Sequence, residues 1–312
     1  MPDDVTFRTK PQIAIDLIDR ALDNRVRVAW WTFDELYGHD SKFPDALEEQ
    51  KQSFVAEIPT NTRVWTTKPR VINCADYVGV GRPKKTPRVV AYTKLSEVRH
   101  LLKHSSKFYV QSWQNYRIKN THNGPEVWKI KHLTVWRQTG KHVPSKRHTL
   151  IAGRNIRTGE TKFFIANGVV GQNGVTLRQL LRVAFGRWVI EAEFRISKEE
   201  PGMDHFEVRG WRCIHRHYYL TGLSFLLCSR LRQSFDKTNT RQLTVEQVRR
   251  SMNAYLQHRN QPEDVLRREQ NRQAYYQRRN AESIRSHTKT RIRLYTNRGI
   301  DVDKIKSCVQ TI

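Results

Sequence analysis

Acidic side chains are scarce. The chain of 312 residues has 30 Asp and Glu against 56 Lys and Arg, a formal net charge of +26. Such a balance points to a polyanionic partner, most often nucleic acid. Cysteine is scarce too. Cys74, Cys213, Cys228 and Cys308 are far apart and form no CxxC pair, so they read as reduced intracellular thiols, and a disulfide frame is not expected. No apolar run reaches the roughly 18 residues of a membrane-spanning helix. Met1-Pro2-Asp3-Asp4 opens without the apolar stretch of a secretory signal. A cytoplasmic protein without a membrane partner is therefore expected. No helix-turn-helix or RNA-recognition signature is legible. Apolar residues are not lacking: at 38%, beside 28% charged, they suffice for a core and exclude a disordered tail. The length suggests two domains, or one with a large insertion.

The positive charge is unevenly placed. Residues 1–59 carry 7 basic and 12 acidic side chains, a net of −5. Residues 60–175 carry 22 and 4, a net of +18. Residues 176–264 carry 15 and 10, a net of +5, and residues 265–312 carry 12 and 4, a net of +8. A near-neutral framework is thus interrupted by a strongly basic middle and followed by a basic tail.

In the first framework segment, Thr9 is a candidate N-cap with Pro11 in the first turn. Apolar residues at helical spacing over Gln12–Leu22 predict a helix that Asn24 can end. Val26–Phe33 is β-branched, aromatic and nearly continuously apolar, which predicts a buried strand of a parallel sheet. Asp34 follows it, at the carboxyl end where open α/β sheets place their sites; from position alone it is either a site residue or the cap of the next turn. Phe43–Gln50 reads as a short helix and Ser53–Pro59 as a second strand, parallel to the first.

Residues 60–175 read as a mainly β insertion. A basic loop spans Gly81–Arg88. A helix is expected over Ser96–His104. Strand-like pieces follow at Lys107–Val110, Glu126–Ile130, Leu133–Arg137, His148–Ala152 and Lys162–Asn167, with turn signals at Asn123-Gly124-Pro125, Thr139-Gly140 and Thr158-Gly159. Trp65, Tyr109, Trp113, Tyr116, Trp128 and Trp136 are interleaved with the cations. Cations for phosphates and aromatic faces for bases suit nucleic acid, especially distorted or single-stranded ends; each aromatic alone equally suits a small core.

The second framework segment begins with a helix capped by Thr176 and running to about Lys198. Steps of 100° per residue put Leu177, Leu180, Leu181, Ala184, Trp188, Glu191, Arg195 and Lys198 on one face. The apolar stripe runs into Glu191, a carboxylate that is costly there unless a cation or metal compensates it. Arg187, one turn earlier, offers the simpler account of a surface ion pair. Trp211–Arg232 is apolar from Tyr218 to Cys228 and suits a buried helix. Cys213, His215 and His217 would not share one helix face, so zinc is not expected. Arg267-Arg268, Arg278-Arg279 and Arg291-x-Arg293 suggest a basic helical extension that binds DNA or is solvated.

Taken together these residues resemble the DDE transposases of bacterial insertion sequences, in the branch with a Y-x2-R-x3-E-x6-K signature. Arg187, Glu191 and Lys198 match R, E and K at their spacing, with Ala184 where the pattern has Tyr. Trp31–Gly38 is similar to the segment around the family's second catalytic Asp, and Glu200–Trp211 is also similar to family members. The resemblance spans essentially the whole chain. It implies an α/β, RNase H-like core, incomplete at the N-terminus, interrupted by a mainly β insertion and followed by a helical extension. The divisions expected are 1–59 and 176–235 for the core, 60–175 for the insertion and 236–312 for the extension. It implies Asp34 and Glu191 as catalytic metal ligands for a two-metal Mg²⁺ (or Mn²⁺) site. Arg187 and Lys198 would bind DNA phosphates. Phe163 and Phe164 could stack on a flipped base or sit in the core. The family's first Asp lies on a strand ahead of the region where this chain begins; Asp3, Asp4, Asp16 and Asp19 follow no strand. The expected partners are double-stranded DNA and a second copy of the chain, in the bacterial nucleoid. The expected activity is metal-dependent strand cleavage and transfer at transposon ends, by a truncated copy with reduced or no activity. The alternative is a non-catalytic DNA-binding remnant acting as competitor or regulator.

Overall fold

The computed structural model describes residues 6–74, 86–90, 94–236, 243–257 and 264–309. The architecture is mixed α/β, in two compact units: Thr6–Arg187 with the chain from Thr288 onward, and Trp188–His287. Asp3 and Asp4, and the basic loop as far as Lys85, lie outside the described residues.

The first unit opens with α1 (Lys10–Asp23), closed at its start by a capping box between Thr9 and Gln12 and at its end by Asn24. This satisfies amide donors that the first turn leaves unpaired. Next come β1 (Trp31–Phe33), α2 (Glu35–His39), α3 (Lys42–Glu49) and β2 (Phe54–Ile58). β1 and β2 pair in parallel, with Trp31 opposite Phe54 and Phe33 opposite Ala56. The strand expected from Val26 is shorter. Arg25 adopts a left-handed φ of 58° and the Val26 N–H bonds back to Ala21 at 2.9 Å, so these residues close α1 before the chain extends.

The chain continues through β3 (Arg63–Trp65), β4 (Val71–Ile72), β5 (Arg88–Val89), β6 (Ser96–Glu97), α4 (Val98–His104) and α5 (Ser106–Tyr109). Then follow β7 (Gln114–Thr121), β8 (Gly124–Gln138), β9 (Pro144–Asn155), β10 (Thr161–Ala166) and α6 (Leu177–Gly186). Lys107–Val110, expected to extend, instead lies in and just after α5. The Phe108 and Tyr109 amides both bond to Ser105, and Phe108 is the one deeply buried anchor of that turn. Glu126–Ile130 and Leu133–Arg137 are one strand. Lys131, between them, is buried and donates to the Phe108 carbonyl at 2.7 Å.

Among the described residues the main sheet has nine strands, in the order β1-β2-β10-β9-β8-β3-β6 with β7 also on β8. β10 runs antiparallel to both β2 and β9, so the strands of the basic middle extend the sheet that β1 and β2 begin. Side chains alternate between two cores. Phe54, Ala56, Val135, Leu150 and Ile165 pack with α1, α3 and α4. Val55, Ile130, Ile151, Phe164 and Ala166 pack beneath α6.

The second unit is helical: α7 (Trp188–Glu199), α8 (Trp211–Asp236), α9 (Val245–Gln257) and most of α10 (Asp264–Thr296). The single helix expected over residues 176–198 is divided into α6 and α7, with Gly186 at the break, where glycine loosens helical preference. The helix expected to be buried, α8, is largely exposed: Tyr219, Leu220 and Leu223 are 70%, 66% and 62% accessible. No Arg or His interrupts Tyr218–Cys228, and Leu226 and Leu227 are also exposed among the described residues. The basic extension is helical as expected. The end of α10 belongs to the first unit, where Tyr295 is buried against Val127, and β11 (Lys306–Ser307) pairs in parallel with β7. No helix among the described residues is long and apolar enough to cross a membrane.

Candidate functional site

The parallel pair β1–β2 fixes the first candidate. Asp34 ends β1 in extended backbone and caps α2, its Oδ1 accepting from the Leu36 N–H at 3.1 Å. The capping role considered from sequence is therefore realised. Oδ2 has no hydrogen-bond partner among the described residues. The two roles are compatible, since a cap uses one oxygen and leaves the other for a hard cation.

Asp34 follows Phe33, the register partner of Ala56, and Glu57 follows Ala56. A second carboxylate thus stands one register step beyond the paired residues on the neighbouring strand. Glu57 is buried at 9% accessibility. It is held by Lys162 Nζ at 2.8 Å and by Arg187 Nε at 3.7 Å. A carboxylate out of water needs such compensation. Sequence reasoning missed Glu57. The available signal was its position, a lone acid inside the otherwise apolar strand Phe54–Ile58.

Packing here is tight. A Cβ on Gly38 would lie 2.2 Å from the Glu57 carbonyl oxygen, so α2 approaches β2 at a distance only glycine permits.

The other predicted residues are placed as follows. Arg187, between α6 and α7, has its side chain 23% exposed and faces Glu57. Glu191 is exposed in the first turn of α7, so the buried stripe expected to lead into it ends with α6. Lys198, near the end of α7, has Nζ 3.8 Å from Asp204 Oδ2. Asp34 and Arg187 belong to the first unit, Glu191 and Lys198 to the second.

Phe163 and Phe164 are 3% and 2% exposed, and lie in the cores on opposite faces of the sheet. Alternation along β10 turns each ring into packing, so neither presents a face to a base. Trp65, Tyr116 and Trp128 are likewise core residues. Trp113 instead carries two cations, Lys131 Nζ at 5.1 Å and Arg154 at 5.5 Å from its ring. On α8, His217 Nε2 bonds to the Gly202 carbonyl at 2.9 Å and His215 packs at a tilt against Trp211.

No group of three or more His, Cys, Asp or Glu among the described residues is placed to hold a metal ion. By donor chemistry Asp34 and Glu191 each fit as an oxygen ligand of Mg²⁺ or Mn²⁺. Glu57, the nearest carboxylate to Asp34 by register, is engaged by two cations.

No curated protein matches the chain. Residues 1–125 match the family model described as DDE superfamily endonuclease; Arg187, Glu191 and Lys198 lie beyond the matched stretch. Over residues 1–125, which carry β1, Asp34 and β2, the chain is similar to DDE superfamily endonucleases.

Proposed function

We propose that the chain is a transposase of the insertion-sequence type that grips DNA and has weak or no cleavage activity as an isolated chain. The observation that carries this reading is the parallel β1–β2 pair with Asp34 at its carboxyl end, inside the stretch that matches a DDE endonuclease. In this reading Asp34 and Glu191 are the carboxylates that would hold divalent metal. Such a metal would supply Lewis acidity at a scissile phosphodiester. Arg187 and Lys198 hold DNA phosphates, the former by a planar fork of donors and the latter as a compact charge.

Weak cleavage is proposed because the carboxylate beside Asp34 is already spent. Glu57 already holds Lys162 and Arg187, so recruiting it to a metal would break two ion pairs. The same observation favours the second reading, a non-catalytic DNA-binding competitor of an active transposase.

The test is plasmid nicking and DNA retardation by the purified full chain with Mg²⁺ or Mn²⁺. DNA is expected to bind, and nicking to be slow. Asp34→Asn and Glu191→Gln should each remove residual nicking and leave binding intact. Fast nicking that survives both substitutions would overturn the assignment; nicking absent from the native chain, with binding intact, would favour the competitor reading.

A further inference from the structure

The sheet has a second end. Where β1, β2 and β9 begin and β8 and β10 finish, the first unit is hollowed by an open groove of about 1950 Å³. Five cations line it: Lys51, Lys68, Arg70, Lys146 and Arg147. All five are exposed, and none has a carboxylate within ion-pair distance among the described residues. Like charges gathered without acids repel one another unless a polyanion joins them.

The lining holds one acid, Glu48, and it is not available to those cations. Its Oε1 is 2.8 Å from Nε2 of the fully buried His148 and 3.4 Å from Arg137. The groove is therefore electropositive in spite of Glu48.

Two tryptophans complete it. Trp136, half-buried on β8, stands opposite Arg147 of β9, so ring and guanidinium share one sheet face. Trp30, just before β1, lies over Gly168, where a Cβ would come within 2.7 Å of its ring. The absence of a side chain at residue 168 makes room for the indole, which packs partly on the core beneath α6 and partly lines the groove.

We propose that this groove binds an unpaired DNA strand, with phosphates on the five cations and bases against Trp136 and Trp30. An aromatic face can stack only on a base released from pairing, which favours a single strand over a closed duplex. The site lies at the opposite end of β1 from Asp34, so a strand held here is held away from that carboxylate. The proposal rests on the DNA-binding reading above, and the two fail separately.

The experiment is fluorescence anisotropy of the full chain with a labelled 20-nucleotide DNA strand, the corresponding blunt duplex, and an RNA strand of the same sequence. Two charge reversals are compared, Lys68→Glu with Arg70→Glu, and Lys146→Glu with Arg147→Glu. The control is Arg20→Glu with Lys103→Glu, on α1 and α4, which pack through Ile18 and Leu101 against the other core. Each groove pair should weaken binding of the strand about 10-fold and flatten its salt dependence by roughly 1.4 in log–log slope, as two lost phosphate contacts require. The control should change affinity by less than about 3-fold. Trp136→Ala should cost about 5-fold or more and remove part of the fluorescence quench caused by the strand. Equal losses in groove and control variants would overturn the proposal, as would a duplex or an RNA strand bound more tightly than the DNA strand. A native chain that binds no DNA would remove the proposal and the reading beneath it together; DNA binding that survives both groove reversals would remove the proposal alone.

Discussion

The two ends of one sheet are built on opposite electrostatic terms. At the carboxyl end of β1 and β2 the charges are matched. Asp34 is tied to the first turn of α2, and Glu57 is enclosed by Lys162 and Arg187. At the amino end five exposed cations face an open groove, while the one acid in reach, Glu48, is turned inward to His148 and Arg137. The same strands supply both ends, so the difference comes from how side chains are paired. A buried carboxylate must be compensated inside the fold, whereas an exposed cation can wait for a partner from outside.

Two glycines offer the strongest way to break the comparison, one at each end. At the carboxyl end, Gly38→Ala sets a methyl group 2.2 Å from the backbone carbonyl of Glu57. Backbone cannot rotate aside, so α2 must leave β2. A loss of about 3 kcal/mol is expected, read as a lower urea midpoint with unchanged slope. Near-native stability would mean that this end is less tightly packed than it appears.

The Glu48 network comes next. Glu48→Gln takes the anion from the buried His148, while Arg137 keeps Asp45, and the weakened charged hydrogen bond should cost about 2 kcal/mol. The effect carries a pH signature. Burial alone would raise the Glu48 carboxyl, but the hydrogen bond and charge of His148, together with Arg137, outweigh it and lower the group below its usual 4.5. A depressed carboxylate contributes stability that is fully present above its unfolded value and fades as pH falls through the folded one. The native chain should therefore lose stability more steeply than Glu48→Gln below about pH 4.5. Parallel acid limbs in denaturation series of the two proteins would show that Glu48 is not the anchor.

Much of the carboxyl end was legible in the sequence, and little of the amino end. The Thr9 cap, the end of α1 at Asn24, the short helix near residue 43 and the two parallel strands follow from local chemistry that neighbouring residues carry. So does the position of Asp34 after β1. Glu57 was hidden because its cations come from far along the chain, at residues 162 and 187. The groove was hidden for the same reason: Lys51 precedes β2, Lys68 follows β3 and Lys146 lies on β9, and they line one groove only when these strands join one sheet. Periodicity misled where it was counted across Gly186. A perfect helical stripe through Glu191 presumed one unbroken helix, and the chain has two, α6 and α7. Apolar content misled at Tyr218–Cys228, since composition does not say whether another element arrives to cover it. Phe163 and Phe164 show the reverse case: alternation on β10 buries one ring on each face, which a strand period of two foretells.

At the amino end, Gly168→Ala is the counterpart of Gly38→Ala and should do less to the fold. Its methyl would meet the Trp30 ring at 2.7 Å, and a side chain at the groove wall can move where a backbone carbonyl cannot. A stability loss of about 1 kcal/mol is expected. Binding of a DNA strand should fall about 3-fold as the indole leaves its stacking position. If stability drops as far as in Gly38→Ala, Trp30 is structural support and the contrast between the two ends weakens.

The smallest effect separates two roles of one residue. Asp34→Ala removes the cap of α2, which should cost about 1 kcal/mol. Asp34→Asn keeps a cap of nearly equal quality, because a carbonyl oxygen can still accept from the Leu36 N–H, and should change stability by only a few tenths of a kcal/mol. For metal-dependent nicking the two substitutions should be alike, since an amide has lost the charge that a divalent cation requires. Thermal melts and nicking assays on the same two proteins therefore diverge in one readout and coincide in the other. If Asp34→Asn keeps nicking while Asp34→Ala loses it, the carboxylate serves only α2, and the carboxyl end of the sheet is scaffold with no catalytic role.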